Sequence, residues 1–154
     1  MDNKVNRVFL DSNVILSGLI SDKGAPRIIL DILSLRFPSL IGLTGQYNLL
    51  EIERNLENKL PNGLPLYRTY SVKLHLEIVP MPSREEIKKF AGITVEKDIP
   101  VLASAVTGKA DFFITGDKKD FEHLKTKREF AFKILSPSDF VNEILPNIIR
   151  GLIK

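Results

Sequence analysis

At 154 residues, 44% hydrophobic and 27% charged, the chain has the size and composition of one compact domain over 1–154 that buries its own core. It has no cysteine, which excludes a disulfide framework, a thiolate zinc site and a thiol nucleophile; with only two histidines, His75 and His123, any metal needs oxygen ligands. The net charge of +3, from 22 basic and 19 acidic residues, is a mild excess compatible with a nucleic-acid partner.

Val8-Phe9-Leu10 reads as a buried strand, ended by a polar corner at Asp11-Ser12-Asn13. The same corner interrupts the apolar stretch that follows Lys4 and Arg7, and no small-residue cleavage pattern comes after it, so no signal peptide is expected. No apolar run reaches the length of a membrane span, and a cytoplasmic location is the expectation. A helix is predicted from Gly24-Ala25-Pro26 through Ile28, Ile29, Ile32 and Leu33, with Pro38 forcing its end. Leu40 to Leu43 suits a second strand. Gly45 to Leu60 suits a helix with Leu49, Ile52 and Leu56 at helical spacing.

Pro61 to Pro65 reads as a loop, Leu66 to about His75 as a helix, and Leu76 to Val79 as a third strand stopped by Pro80 and Pro82. Ser83 with Glu86 three residues on has the form of a capping box. Asp98 to Val106 reads as a helix, Phe112-Phe113-Ile114 as an apolar strand, Lys118 to Leu124 as a short helix and Phe132 to Leu135 as the last strand. Ser136-Pro137 opens a final helix carrying Phe140, Val141, Ile144 and Leu145.

Alternating helices and continuously apolar strands predict an α/β protein: a three-layer α/β/α arrangement around a mostly parallel sheet of about five strands. In such sheets sites form beyond the carboxyl ends of the strands, where the topology switches. Two apolar strands run into acids there: Leu10 into Asp11, and Ile114-Thr115-Gly116 into Asp117. Two unit charges ~4 Å apart repel by about 1 kcal/mol in water and about 4 kcal/mol at an intermediate effective dielectric. Crowded carboxylates therefore either raise their pKa values or bind a cation, and hard divalent ions prefer oxygen. A magnesium ion so held activates water and stabilises a leaving oxygen, which suits phosphodiester hydrolysis.

Three blocks carry a family resemblance: "VFLDSNVILSGLI" at 8–20, "NLLEIERNL" at 48–56 and "KDIPVLASAVTGKADFFITGDKKDF" at 97–121. They resemble the PIN domain, a doubly wound α/β/α nuclease. The closing "ILSPSDFV" at 134–141 resembles a subfamily of toxin components of toxin–antitoxin pairs. The resemblance implies Asp11, Glu51, Asp98 and Asp117 as the catalytic acids, with Asp120 an extra metal ligand beside Asp11, Asp98 and Asp117. It implies Mg²⁺ or Mn²⁺, with Ser12, Asn13 and Thr115 orienting carboxylates or water. It further implies a VapC-like ribonuclease that leaves a 3′-hydroxyl and a 5′-phosphate, a homodimer, and a cognate antitoxin protein.

Glu51 lies off the Leu49–Ile52–Leu56 stripe and Glu53 nearer to it; the family's spacing favours Glu51. Glu96 competes with Asp98, but the Ile-Pro-Val-Leu-Ala after Asp98 fits the motif. Asp98 also suits a helix N-cap, and Asp120 a cap or a solvated charge. Lys118, Lys119, Lys125, Lys127 and Arg128 crowd the segment after Asp117, either as phosphate contacts or as wet surface. Three other functions are weighed. A haloacid-dehalogenase-like aspartyl phosphatase would use Asp11 as nucleophile, but Asn13 sits where it needs a second aspartate. A phosphorylated receiver module would need an acidic pair by the first strand. A third reading keeps the scaffold and only binds RNA or protein.

Overall fold

The computed structural model describes residues 4–121, 124 and 130–153. Five strands form one sheet: β1 (Asn6–Leu10), β2 (Leu40–Gly45), β3 (Glu77–Val79), β4 (Phe112–Ile114) and β5 (Lys133–Leu135), in the order β3-β2-β1-β4-β5. All four pairings are parallel. Between them lie α1 (Ser12–Ile20), α2 (Ala25–Ser34), α3 (Gln46–Lys59), α4 (Gly63–Leu74), α5 (Arg84–Lys89), a 3₁₀ turn (Glu96–Asp98), α6 (Ile99–Thr107) and α7 (Lys118–Phe121). After β5 the chain continues as α8 (Pro137–Asp139), a π-helical turn (Phe140–Ile144) and α9 (Leu145–Ile153).

The centre of the sheet is apolar (Val8 to Leu10 on β1, Leu43 on β2, Phe113 and Ile114 on β4) because both of its faces are covered there. Val8 and Leu10 point into a core shared with α1 to α4 and the closing helix, while Phe9 between them points into one shared with α6. β4 alternates likewise, Ile114 to the first core and Phe113 to the second.

The chain steps outward from β1 to β2 and β3, then returns to the other side of β1 for β4 and β5. The topology therefore reverses between β1 and β4, where Leu10 pairs with Ile114. A flavodoxin-like receiver has the order 2-1-3-4-5 instead, so that alternative is set aside.

One helix lies outside the expectations and one boundary needs correction. The polar corner does end β1, and Ser12 immediately begins α1, to which the sequence reading assigned no element. Val14, Ile15 and Ile20 are β-branched and argue against a helix locally. Packing overrides them, burying Val14, Ile15 and Gly18 on one face. Gly18 is needed for that contact, since a Cβ there would stand 2.5 Å from Leu30 Cδ1 on α2. Helix α4 begins at Gly63 rather than Leu66, because Pro65 falls in its first turn, where a missing N–H costs no helical bond. The expected helix over Lys118 to Leu124 is present as Lys118–Phe121; Glu122 and His123 lie outside the described residues.

The Ser83 capping box is formed: its hydroxyl accepts from Glu86 N and the Glu86 carboxylate accepts from Ser83 N. Ser83→Ala should therefore cost about 1 kcal/mol, read as a lowered urea midpoint at unchanged slope. No helix among the described residues is long and apolar enough to cross a membrane.

Candidate active site

Asp11 stands at the carboxyl end of β1, its backbone N–H donating to Ile114 O at 3.0 Å and so extending the β1–β4 ladder by one residue. It is also the N-cap of α1. The carboxylate is only 8% exposed and accepts three hydrogen bonds: from Ser12 N at 2.8 Å and Asn48 Nδ2 at 3.2 Å on Oδ1, and from Thr115 Oγ1 at 2.8 Å on Oδ2. Burial pushes its pKa up to about 6, against the pull of the Thr115 and Ser12 hydrogen bonds, with the Glu51 and Asp117 charges adding to the rise.

Helix α3 follows β2 directly and turns Asn48 and Glu51 toward this end of the sheet. Ser12 Oγ donates to Glu51 Oε1 at 2.8 Å and accepts from Asn48 Nδ2 at 2.9 Å. Gly45, the last residue of β2, makes room: a Cβ there would lie 2.8 Å from Ser104 Oγ and 2.9 Å from Asn48 Oδ1.

After β4 the chain turns through Thr115-Gly116-Asp117. Thr115 is fully buried, and its hydroxyl both donates to Asp11 and accepts from Asp117 N at 3.0 Å. Asn13 spans to the same turn, accepting from Gly116 N and donating to Asp117 Oδ2, each at 2.9 Å. Ser12, Asn13 and Thr115 thus tie Asp11, Glu51 and Asp117 together across three elements.

Asp98 ends the 3₁₀ turn at the start of α6 and makes no side-chain cap bond, so the capping role foreseen for it is not used. Its Oδ2 is buried without a hydrogen-bond partner. Burial raises its pKa, Lys97 lowers it, and the Asp120, Asp117 and Glu51 charges raise it further. The charges of Glu51 and Asp117 therefore act on both Asp11 and Asp98. Asp120, exposed in α7, acts on Asp98. Glu53 lies elsewhere, its charge acting on the Tyr67 hydroxyl of α4, and Glu96 is exposed on the 3₁₀ turn.

Among the described residues no group of three or more His, Asp or Glu side chains stands ready-made to hold a metal ion. The donor chemistry nevertheless fits a hard divalent cation. All the donors are carboxylate oxygens, the Glu51 and Asp117 charges add to the raised pKa values of Asp11 and Asp98, and the unpartnered Asp98 Oδ2 is available as a ligand.

Asn48 escaped the sequence reading. The buried stripe of α3 is Asn48–Ile52–Leu56 rather than Leu49–Ile52–Leu56, and an amide on that stripe was the available signal, since a buried amide needs partners. Of the basic residues after Asp117, Lys118 pairs with Asp139 at 3.0 Å; Lys125, Lys127 and Arg128 lie outside the described residues.

The family model described as PIN domain matches residues 7–119, a span holding Asp11, Glu51, Asp98 and Asp117 and ending one residue before Asp120. A search of curated proteins finds no match. Among solved structures, VapBC2 from Rickettsia felis bound to a promoter DNA fragment aligns at 15% identity over 84% of this chain and 98% of its own, with a TM-score of 0.54. DNA-bound VapBC from Salmonella typhimurium aligns at 12% identity over 86% and 99%, with a TM-score of 0.60. VapBC-1 from nontypeable Haemophilus influenzae aligns at 13% identity over 86% and 98%, with a TM-score of 0.62. At these identities the likeness is one of fold.

Proposed function

We propose, from the premise that this chain belongs to the PIN-domain family, that it is an endoribonuclease hydrolysing RNA phosphodiester bonds with Mg²⁺ or Mn²⁺. What supports this is the crowding of Asp11, Glu51, Asp98 and Asp117 at the β1–β4 switch point, where Glu51 and Asp117 each act on both Asp11 and Asp98.

Asp11, Asp98 and Asp117 would hold the ion, with Asp120 at the Asp98 edge. When bound, the ion supplies a more acidic water and charge neutralisation for an in-line displacement at phosphorus. The protein's own groups supply order. Thr115 fixes Asp11 Oδ2, and Asn13 fixes Asp117 Oδ2. Ser12 holds Glu51 Oε1, so the other carboxylate oxygen of Glu51 is left to orient the attacking water and accept its proton. The cut would leave a 3′-hydroxyl and a 5′-phosphate.

The VapBC neighbours support a further reading, that the chain is the toxin of a toxin–antitoxin pair and is neutralised by a cognate antitoxin protein; the motif resemblance adds to it a homodimer acting in the cytoplasm. A small reading frame just upstream encoding a DNA-binding protein should relieve growth arrest on co-expression.

Incubated with single-stranded RNA, the protein should cut in Mn²⁺ and stop cutting in excess EDTA. Activity resistant to the chelator would remove the proposed mechanism.

A further inference from the structure

Beside Asp98 lies a cavity of about 440 Å³, lined by Ile93, Thr94, Val95, Lys97, Asp98 and Asp120. Its volume falls within the range of small-molecule pockets. Its wall is folded in advance: Ile93 N donates to Phe90 O and Asp98 N to Val95 O, and the Tyr47 hydroxyl reaches Lys97 O at 3.5 Å.

The lining is selective. Val95 is 57% exposed, a large apolar side chain presented to water at the edge of a polar site. Thr94 Oγ1 and Asp98 Oδ2 are both buried without hydrogen-bond partners, a costly state that a ligand donor would relieve. The two carboxylates disfavour a free phosphate. The apolar residues favour a flat uncharged group, and exposed Lys97 offers an ammonium with which a backbone phosphate can pair.

We propose that this cavity receives the nucleotide flanking the scissile phosphate, its base against Val95 and Ile93, one of its donors on Thr94 Oγ1 and its phosphate by Lys97. The inference rests on the ribonuclease reading, because Asp98 is shared between the cavity and the carboxylate cluster. The site thus grips a single-stranded base rather than the backbone alone, as RNA-binding surfaces do where bases are unstacked.

The test uses the full chain and a fluorescent single-stranded 12-mer RNA. Binding is read by anisotropy in EDTA and cleavage separately in Mn²⁺. Val95→Glu should raise Kd at least about tenfold, the worth of one lost base contact. Thr94→Val should raise it about fivefold without lowering the melting temperature, since no partner inside the protein is lost. An abasic ribose placed beside the cleaved bond should weaken wild type about tenfold and Val95→Glu little further. Wild-type binding and cleavage with Val95→Glu unaffected in Kd would overturn the cavity and leave the nuclease reading standing. Binding sensitive to Val95→Glu without metal-dependent cleavage would leave a base-binding cavity but overturn its place beside a scissile phosphate, together with the nuclease reading. No binding of RNA by wild type would overturn both.

Discussion

Asp11→Asn should lower RNA cleavage by more than ~100-fold, beyond what loss of a mere supporting partner of a metal ligand costs, while raising the melting temperature of the metal-free protein. The two effects have one cause. The wild-type carboxylate is 8% exposed and lies within range of the Glu51 and Asp117 charges, so ionising it in the folded chain is costly. Its pKa is pushed up from 3.8 to about 6. A folded pKa above the unfolded one means that the folded chain keeps a proton the unfolded chain has already released. The penalty is absent below about pH 4, grows between about pH 4 and 6, and is complete above that, reaching at most about 3 kcal/mol.

Metal-free wild type should therefore lose stability through this group as pH rises across that window, and the asparagine variant should not. Thermal melts in EDTA at pH 4.5 and pH 7.5, taken as about the two ends of the window, should show the variant gaining several degrees over wild type at the higher pH only. Divalent ions should then stabilise wild type more than the variant. A variant that melts lower at neutral pH in EDTA, or that cuts RNA normally, would place Asp11 in a purely structural role.

Phe113→Ala should cost about 4 kcal/mol, a large part of the stability of an ordinary domain. The ring is fully buried at the centre of an aromatic cluster, with ring centres 5.4 Å from Phe9, 5.0 Å from Phe121 and 5.5 Å from Phe132. Its removal leaves a cavity walled by the rings of Phe9 on β1, Phe121 in α7 and Phe132 just before β5, which cannot easily close. The neighbouring Phe112, half-buried with one edge-on contact to Phe140, should cost less on the same substitution. Urea denaturation of both variants checks the ranking. A Phe113→Ala cost below about 1 kcal/mol would mean that this core collapses around the gap.

Both predictions concern residues visible in the sequence. Phe113 sits in a three-residue apolar run between polar residues, too short for a helix and rich in aromatic and β-branched residues, which together point to a strand. Asp11 and Asp117 each follow an apolar strand, so the parallel arrangement alone suggested that they would meet. The capping box at Ser83 was equally plain, because its partners are three residues apart. Helix α1 was not legible. Its β-branched residues favour extended chain, and its helical form depends on a close packing against Leu30 that Gly18 permits.

By itself, then, the sequence determined the alternating architecture, the strand-end acids and the short-range caps, since each depends on residues within a few positions of one another. The tertiary structure alone decided what those acids touch. Asn48 finds its partners 36 and 37 residues away, Thr115 finds Asp11 across 104, and the Asp98 oxygen is left unpartnered only because other elements bury it. Hydrogen-bond satisfaction and desolvation depend on which surfaces meet, and no local pattern of residues carries that information.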